Sequence, residues 1–250
     1  MTKIGALRAQ LAGVRRLAVL TGAGMSAESG VPTFRDALTG LWARFDPAQL
    51  ATPEAFRADP ALVWRWYAQR RDGVKAATPH AGHAALAVVA PRFAAFTLIT
   101  QNVDGLHARA GSVDVIELHG NILRSRCFDA CGVDYADPAA LPPGEPPPCP
   151  RCGAPLRPDV VWFGETLDPV ALDRARRAVL DAELLLVVGT SGLVHPAAGL
   201  PGLARAAGAR VVVVNPNPSD LDPVAHDLLR LPAAQALPAL LGADAAAEAD

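Results

Sequence analysis

LAVLTGAGMSA, residues 17–27, is an apolar stretch that ends in a glycine turn. Residues 17–21 stay apolar up to Thr21, as a strand buried on both faces requires. Gly22-Ala23-Gly24-Met25-Ser26-Ala27 follows at once and fits G-x-G-x-x-A. Glycines there let the backbone approach a pyrophosphate, whose charge meets a helix N-terminus. Residues 94–100, 113–118, 184–189 and 210–214 (RVVVV) read as further apolar strands, and residues 2–12, 61–75, 80–89, 168–180 and 196–207 as helices between them. Strands without polar alternation, separated by helices, imply an α/β fold with a parallel sheet covered on both sides. Residues 36–60 read as irregular, with Pro47, Pro53 and Pro60 as breakers. Residues 121–160 interrupt the alternation. Seven prolines lie in residues 137–150, so this stretch is loop and the segment reads as a small inserted metal module.

The chain has 250 residues and is 51% apolar, enough for one large or two small domains with a substantial core. No apolar run approaches the ~18 residues that span a bilayer. The N-terminus shows no basic segment followed by an apolar one, so no leader or membrane anchor is expected, and a bacterial cytoplasmic setting is. The charge of −2, from 23 basic and 25 acidic residues, argues against direct nucleic-acid binding.

Four cysteines form two close pairs, Cys127 with Cys131 and Cys149 with Cys152. They could close two disulfides; in a reducing cytosol such pairs read as a metal site. Their spacings suit tetrahedral zinc, and four thiolates leave no open position for water, so the ion would be structural. The proline-rich loop between the pairs cannot build its own core, which gives a metal staple a physical use. The glycine turn alone does not name its ligand. The acidic residue expected ~20 positions on in a nicotinamide dehydrogenase is missing, and a long irregular segment stands there, as in a lid. His119 ends a strand and is either a satisfied structural histidine or a base working near neutral pH.

GAGMSAESGVPTFRD, residues 22–36, closely resembles the first motif of the sirtuins, the NAD-dependent protein-lysine deacylases. Thr100-Gln101-Asn102-Val103-Asp104-Gly105-Leu106-His107 resembles their second motif, and Glu117-Leu118-His119-Gly120-Asn121 their third. The paired cysteines, Val161-Trp162-Phe163-Gly164-Glu165, Gly189-Thr190-Ser191 and Val214-Asn215 follow in the family's order, so the likeness runs from residue 16 to about 240. It implies a Rossmann-like parallel sheet (residues 1–38, 92–120 and 160–250) with a small inserted zinc-ribbon and helical part (39–91 and 121–159), and a site in the cleft between them. It also implies NAD as a consumed co-substrate. In the family the acyl-lysine carbonyl oxygen attacks C1′ of the nicotinamide ribose, nicotinamide leaves, and a histidine helps deprotonate a ribose hydroxyl. The products are lysine, nicotinamide and O-acyl-ADP-ribose.

By the same resemblance His119 is the base and Asn102 its catalytic companion. Gly22, Ala23, Gly24, Ser26, Ala27, Thr33, Phe34, Arg35, Gln101, Asn102, Asp104, Gly189, Thr190, Ser191, Asn215 and Ala233 match NAD-contacting positions. Cys127, Cys131, Cys149 and Cys152 match the zinc ligands. The chain departs from the family twice: three residues separate the first cysteine pair where two are usual, and Pro216-Asn217-Pro218 stands where an acidic residue is common.

Tyr67 and Arg70 lie three apart, on one helix face. For an arbitrary helix they would be a core tyrosine beside a solvated arginine. Here Tyr-x-x-Arg resembles the sirtuin subgroup that removes succinyl and malonyl groups, in which the arginine grips the distal carboxylate. Ala51 matches the small residue that widens that pocket. Val160, Phe163, Gly164, Glu165 and Val194 match the rest of the acyl-lysine site, where a peptide adds as an extended strand. Arg65 and Arg71 fall on other faces and are expected to be solvated. The partners implied are acyl-lysine peptides and proteins. Two other readings use the same residues: a protein mono-ADP-ribosyltransferase, and a non-enzymatic NAD-sensing module. Tyr67 and Arg70 argue against the first, and an intact His119 against the second.

Overall fold

A strand that is apolar on both faces must be covered by helices on both faces, and the order of elements supplies them. The structure, a computed structural model, describes residues 2–32, 46–132, 134–135 and 144–242. α1 (Lys3–Leu11) and β1 (Arg16–Thr21) come first. α2 (Pro47–Leu50), α3 (Pro53–Ala58), α4 (Pro60–Ala76) and α5 (Ala81–Val89) follow, then β2 (Ala95–Thr100), α6 (Leu106–Arg109) and β3 (Ile116–Glu117). β4 (Gly120–Cys127), β5 (Asp134–Tyr135) and β6 (Leu156–Val160) come next. The chain then runs through α7 (Pro169–Asp181), β7 (Leu184–Val188), α8 (Leu200–Ala206), β8 (Arg210–Val214), β9 (Asp227–Leu229) and α9 (Ala233–Leu241).

The main sheet has the order β3-β2-β1-β7-β8-β9, and every pairing in it is parallel. Alternate residues of each strand face opposite cores. Leu17, Val19, Leu98, Leu184 and Leu186 pack with α1, α5 and α9, while Ala18, Leu20, Ile99, Leu185 and Val187 pack with α7 and α8. The order reverses between β1 and β7, which opens a crevice beyond the carboxyl ends of those two strands. β4, β5 and β6 form a second, antiparallel sheet with β4 in the middle. Among the described residues no helix is long and apolar enough to cross a membrane.

Several elements differ from the sequence reading. Pro47, Pro53 and Pro60 do not break structure; each is the first residue of a helix. Proline suits that position because its missing N–H would have no intrahelical partner there. Thr52 and Asp59 cap the next helices, accepting from the N–H of Ala55 at 3.0 Å and of Leu62 at 2.8 Å. The glycine turn runs into two short 3-10 turns, Ala23–Met25 and Ala27–Ser29, and not into an α-helix. The strand expected over 113–118 is limited to Ile116–Glu117. α5, which falls within the expected small part, packs on the main sheet: Ala85, Leu86 and Val89 share a core with Leu7 and Leu237.

Arg71 is a further correction. It is 4% exposed, not solvated. Its Nε donates to the Ile122 carbonyl at 2.7 Å, its Nη2 donates to Ser125 Oγ at 3.0 Å, and the guanidinium lies over the Trp64 ring. Arg71 therefore ties α4, the helix of Tyr67 and Arg70, to the strand just after His119. Replacing Arg71 with Met should keep the stem packed but leave these acceptors unpaired, costing about 2–3 kcal/mol. Urea unfolding would read this as a lower midpoint with an unchanged slope. An unchanged midpoint would show that the tie is not structural.

Candidate active site at the sheet crevice

The two turns that leave β1 and β7 pack backbone against backbone. The Gly24 N–H donates to the Gly189 carbonyl at 2.8 Å, and the Gly22 N–H to the Val188 carbonyl at 2.9 Å. A Cβ on Gly24 would stand 2.8 Å from the Gly189 Cα, and one on Gly22 would stand 2.7 Å from the Thr190 Cβ, so only glycine fits at either place. Gln101 and Asn215 converge on the same corner: Gln101 Nε2 donates to Thr190 Oγ1 at 3.0 Å and Asn215 Nδ2 to the Thr190 carbonyl at 3.1 Å. Gly22, Gly24, Gln101, Gly189, Thr190 and Asn215 thus meet at one corner. Ala23, Ala27 and Ser191 flank them in the same turns. Ala233 is buried at the start of α9, beside the 3-10 turn at 27–29, where Glu28 accepts the Ala234 N–H at 2.7 Å. Thr33, Phe34 and Arg35 lie outside the described residues.

A buried polar cluster adjoins this corner. Ser26 Oγ donates to Asp104 Oδ2 at 2.7 Å and accepts from Asn102 Nδ2 at 3.0 Å. The other Asp104 oxygen accepts the Leu106 N–H at 2.8 Å. Burial raises the Asp104 carboxyl above its ordinary value, and these hydrogen bonds work the other way. His119 lies just past β3 at the edge of the cluster, and its Nδ1 lies 2.9 Å from the Gln101 carbonyl. A carbonyl only accepts, so Nδ1 carries the proton and Nε2 of the neutral ring is left as the basic atom. Burial lowers the His119 pKa, which keeps the ring neutral, and the bond to Gln101 partly opposes that.

Most of the residues expected to form an acyl pocket also lie near one another. Tyr67 is buried, and its hydroxyl accepts from Trp162 Nε1 at 2.9 Å. Burial raises the Tyr67 pKa, so the phenol keeps its proton. The Arg70 guanidinium stacks over the Trp66 ring at 4.8 Å and lies 5.9 Å from the Tyr67 ring. Ala51 is buried, and its carbonyl accepts the Phe163 N–H at 2.9 Å. Val160 is buried beside them, whereas Phe163 (46% exposed) and Val194 (38%) offer apolar surface to solvent. The Glu165 carboxylate is held by Arg157 and by the Trp162 N–H at 2.8 Å. Gly164, at φ 85°, makes the turn between them. Arg157, 3% exposed and stacked 3.3 Å from the Trp162 ring centre, is a residue that sequence reasoning misses. Nothing local marks it; its partner lies eight residues on.

The four cysteine sulfurs all lie within 4.8 Å of one another, with Cys127 3.4 Å from Cys152 and Cys131 3.4 Å from Cys149. None is in a disulfide, so that alternative is set aside. Four sulfurs at 2.3 Å from a tetrahedral zinc would sit about 3.8 Å apart, and the cluster brackets that spacing. The N–H groups of Arg151 and Cys152 point at the Cys149 sulfur, a placement that suits a thiolate bound to metal.

A parallel sheet with a nucleotide turn at its reversal, a buried Ser-Asn-Asp cluster and a four-thiolate knuckle describe one class of protein. The Sir2 family model matches residues 22–196. An "NAD-dependent protein deacylase" of Ralstonia nicotianae is 57% identical over 94% of this chain and 94% of its own length. A solved Sir2 homolog–NAD complex superimposes with a TM-score of 0.89 and 43% identity, covering 97% of this chain and 94% of that one. A Sir2–p53 peptide–NAD+ complex does so with a TM-score of 0.84 and 29% identity, over 98% and 100% of the two chains. The chain belongs to the Sir2 family.

Behind the Ser26–Asn102–Asp104 cluster lie three histidines. The His80 and His83 rings are tilted against each other with centres 4.2 Å apart, and the His83 and His107 ring centres lie 5.0 Å apart. Burial pushes His83 down to about 2 and His107 down to about 4. Both values lie below the ordinary 6.5, so under acid the unfolded chain takes up protons that the folded one refuses. The stability tied to these rings is complete above pH 6.5. It is lost as pH falls toward 4 for His107 and on toward 2 for His83. The urea midpoint should therefore drop between about pH 6.5 and 5, before ordinary carboxylates titrate. A midpoint level across that window would refute the neutral histidine layer.

Proposed function

We propose that this chain removes acyl groups from protein lysines with NAD as consumed co-substrate, and that it takes succinyl and malonyl as well as acetyl. It is an NAD-dependent protein deacylase, as its relatives are named. The observation that carries the reading is the His119 Nδ1 contact with the Gln101 carbonyl, next to the Asn102 and Asp104 cluster. NAD supplies an electrophilic ribose carbon with nicotinamide as leaving group. Gly22, Gly24, Thr190 and Asn215 would hold its phosphates and ribose, Asn102 and Asp104 its nicotinamide side, and His119 Nε2 would accept a ribose hydroxyl proton. The proposed site lies in the cleft between the main sheet and the smaller part that carries α3, α4 and β4–β6. Replacing His119 with Ala should abolish NAD-dependent deacylation while leaving thermal unfolding nearly unchanged. A variant that still turned over would exclude His119 as the base.

The charged-acyl preference rests on Tyr67 and Arg70. The Trp162 N–H occupies a lone pair of the Tyr67 oxygen, which leaves the phenol proton to donate to an acyl carboxylate. The guanidinium, stacked on Trp66, can take the same carboxylate with two parallel bonds. A mono-ADP-ribosyltransferase has no use for this pocket and is not favoured. Arg70→Met should lower succinyl-lysine turnover about a hundredfold while acetyl-lysine turnover falls a fewfold at most, since a charge-assisted pair contributes about 1.5–3 kcal/mol. Equal losses on both peptides would sink the acyl assignment.

The sulfur cluster supports one structural zinc on Cys127, Cys131, Cys149 and Cys152. Elemental analysis of purified protein should find about one zinc per chain, and chelation should lower the unfolding temperature. Protein that is fully active and equally stable without metal would contradict this.

A further inference from the structure

A buried arginine is rarely the most stable occupant of its site: a well-packed apolar side chain of similar volume often does as well or better. Arg157 is 3% exposed, and among the described residues its Nε is a buried atom with no hydrogen-bond partner. Stability alone therefore does not account for it. Its two Nη atoms are engaged around Trp162. They grip the two oxygens of the Glu165 carboxylate side by side, and Nη2 also donates to the Val160 carbonyl at 2.8 Å. The same carboxylate accepts the backbone N–H of Trp162 at 2.8 Å. The guanidinium carbon lies over the Trp162 ring, 3.3 Å from its centre. Glu165 thus holds the Trp162 backbone, and the arginine that Glu165 fixes lies on the indole face.

That indole ends on Tyr67. Trp162 Nε1 donates to the Tyr67 hydroxyl at 2.9 Å, and both side chains are buried. A hydroxyl that accepts on one side turns its proton to the other. The accepted bond also strengthens the phenol as a donor, and a cation on the indole face strengthens the indole N–H in the same way. Burial raises the Tyr67 pKa, while the charge of Arg70, the Trp162 N–H and the charge of Arg157 all oppose that rise. We infer that Arg157 determines acyl specificity: it holds the Trp162 N–H on the Tyr67 oxygen, and so commits the Tyr67 proton to an acyl group that ends in a carboxylate. Acetyl-lysine carries no such acceptor, so Arg157 should matter for succinyl-lysine and little for acetyl-lysine. Arg157 acts through Trp162 and is a positioning residue. The inference rests on the Tyr67 and Arg70 pocket proposed above.

The measurement is the ratio of kcat/KM for succinyl-lysine to that for acetyl-lysine, on one peptide sequence with saturating NAD. Arg157→Met keeps the side-chain length and removes the charge. It should lower the ratio roughly fivefold, the worth of one net hydrogen bond, with acetyl-lysine kcat/KM within about twofold of wild type. In a Tyr67→Phe background the phenol is gone, and Arg157→Met should leave the ratio where Tyr67→Phe alone puts it. A protein merely loosened by the substitution would lose both substrates together. Equal losses on the two peptides overturn the inference, and so does the same drop in ratio with and without the Tyr67 hydroxyl. The 1H–15N signal of the Trp162 indole, identified by its loss in Trp162→Phe, should move upfield in Tyr67→Phe and in Arg157→Met. An indole signal that Arg157→Met leaves in place also overturns it. Should the Met variant not fold, Arg157→Lys, which keeps the charge and loses the planar fork, is held to the same outcomes. Wild type that turns over acetyl-lysine and not succinyl-lysine fails the charged-acyl reading, and the inference falls with it. Wild type that takes succinyl-lysine, with a ratio that Arg157→Met does not change, overturns the inference alone.

Discussion

The backbone contact between the turns after β1 and β7 is the constraint on which the site depends. Gly24 meets Gly189 with no room for a side chain on either. That contact brings the loop carrying Ser26 to the same corner as Thr190, to which Gln101 and Asn215 also bind. It can form only at the carboxyl ends of adjacent parallel strands where the order reverses, and the β3-β2-β1-β7-β8-β9 sheet makes that reversal once. The apolar strands therefore do more than fill a core: their packing sets the spacing of the polar loops.

Several polar groups at and around those loops are buried, and burial defines their chemical state. Asp104 is raised, His119 lowered and Tyr67 raised, in each case first by loss of solvent. Each shift favours the neutral form, and each group keeps its hydrogen bonds. A site so arranged presents fixed donors and acceptors with little free charge, which suits a reaction that must shield a cation-like centre from water. Arg71 and Arg157 are the exceptions. They stay cationic inside, one held by backbone carbonyls and Ser125, the other by Glu165 and the Trp162 ring.

How much of this is legible in the sequence depends on whether the partner is local. β7 and β8 are readable because runs of five and four successive apolar residues leave little choice. The cysteines are readable because spacing and residue type together specify a ligand. The prolines at 47, 53 and 60 read as breakers because a breaker and a helix starter are the same residue in different surroundings. Thr52 and Asp59, each one position before a proline, are the capping signal that distinguishes the two. Arg71 next to Arg70 is rotated by roughly 100° on the helix and looks solvated. Its burial depends on carbonyls of β4, some fifty residues away. His83 and His107 carry no local mark at all; only the fold brings them within 5.0 Å.

The central claim is that one pocket joins NAD cleavage to removal of a charged acyl group, and mass spectrometry of one peptide tests it most directly. The same peptide would carry acetyl-, malonyl- or succinyl-lysine and be incubated with the protein, with and without NAD. The account predicts NAD-dependent loss of succinyl with matching formation of nicotinamide and O-succinyl-ADP-ribose. Loss of acetyl alone would contradict the pocket assignment, and ADP-ribose appearing on protein with no acyl loss would contradict the deacylase chemistry itself.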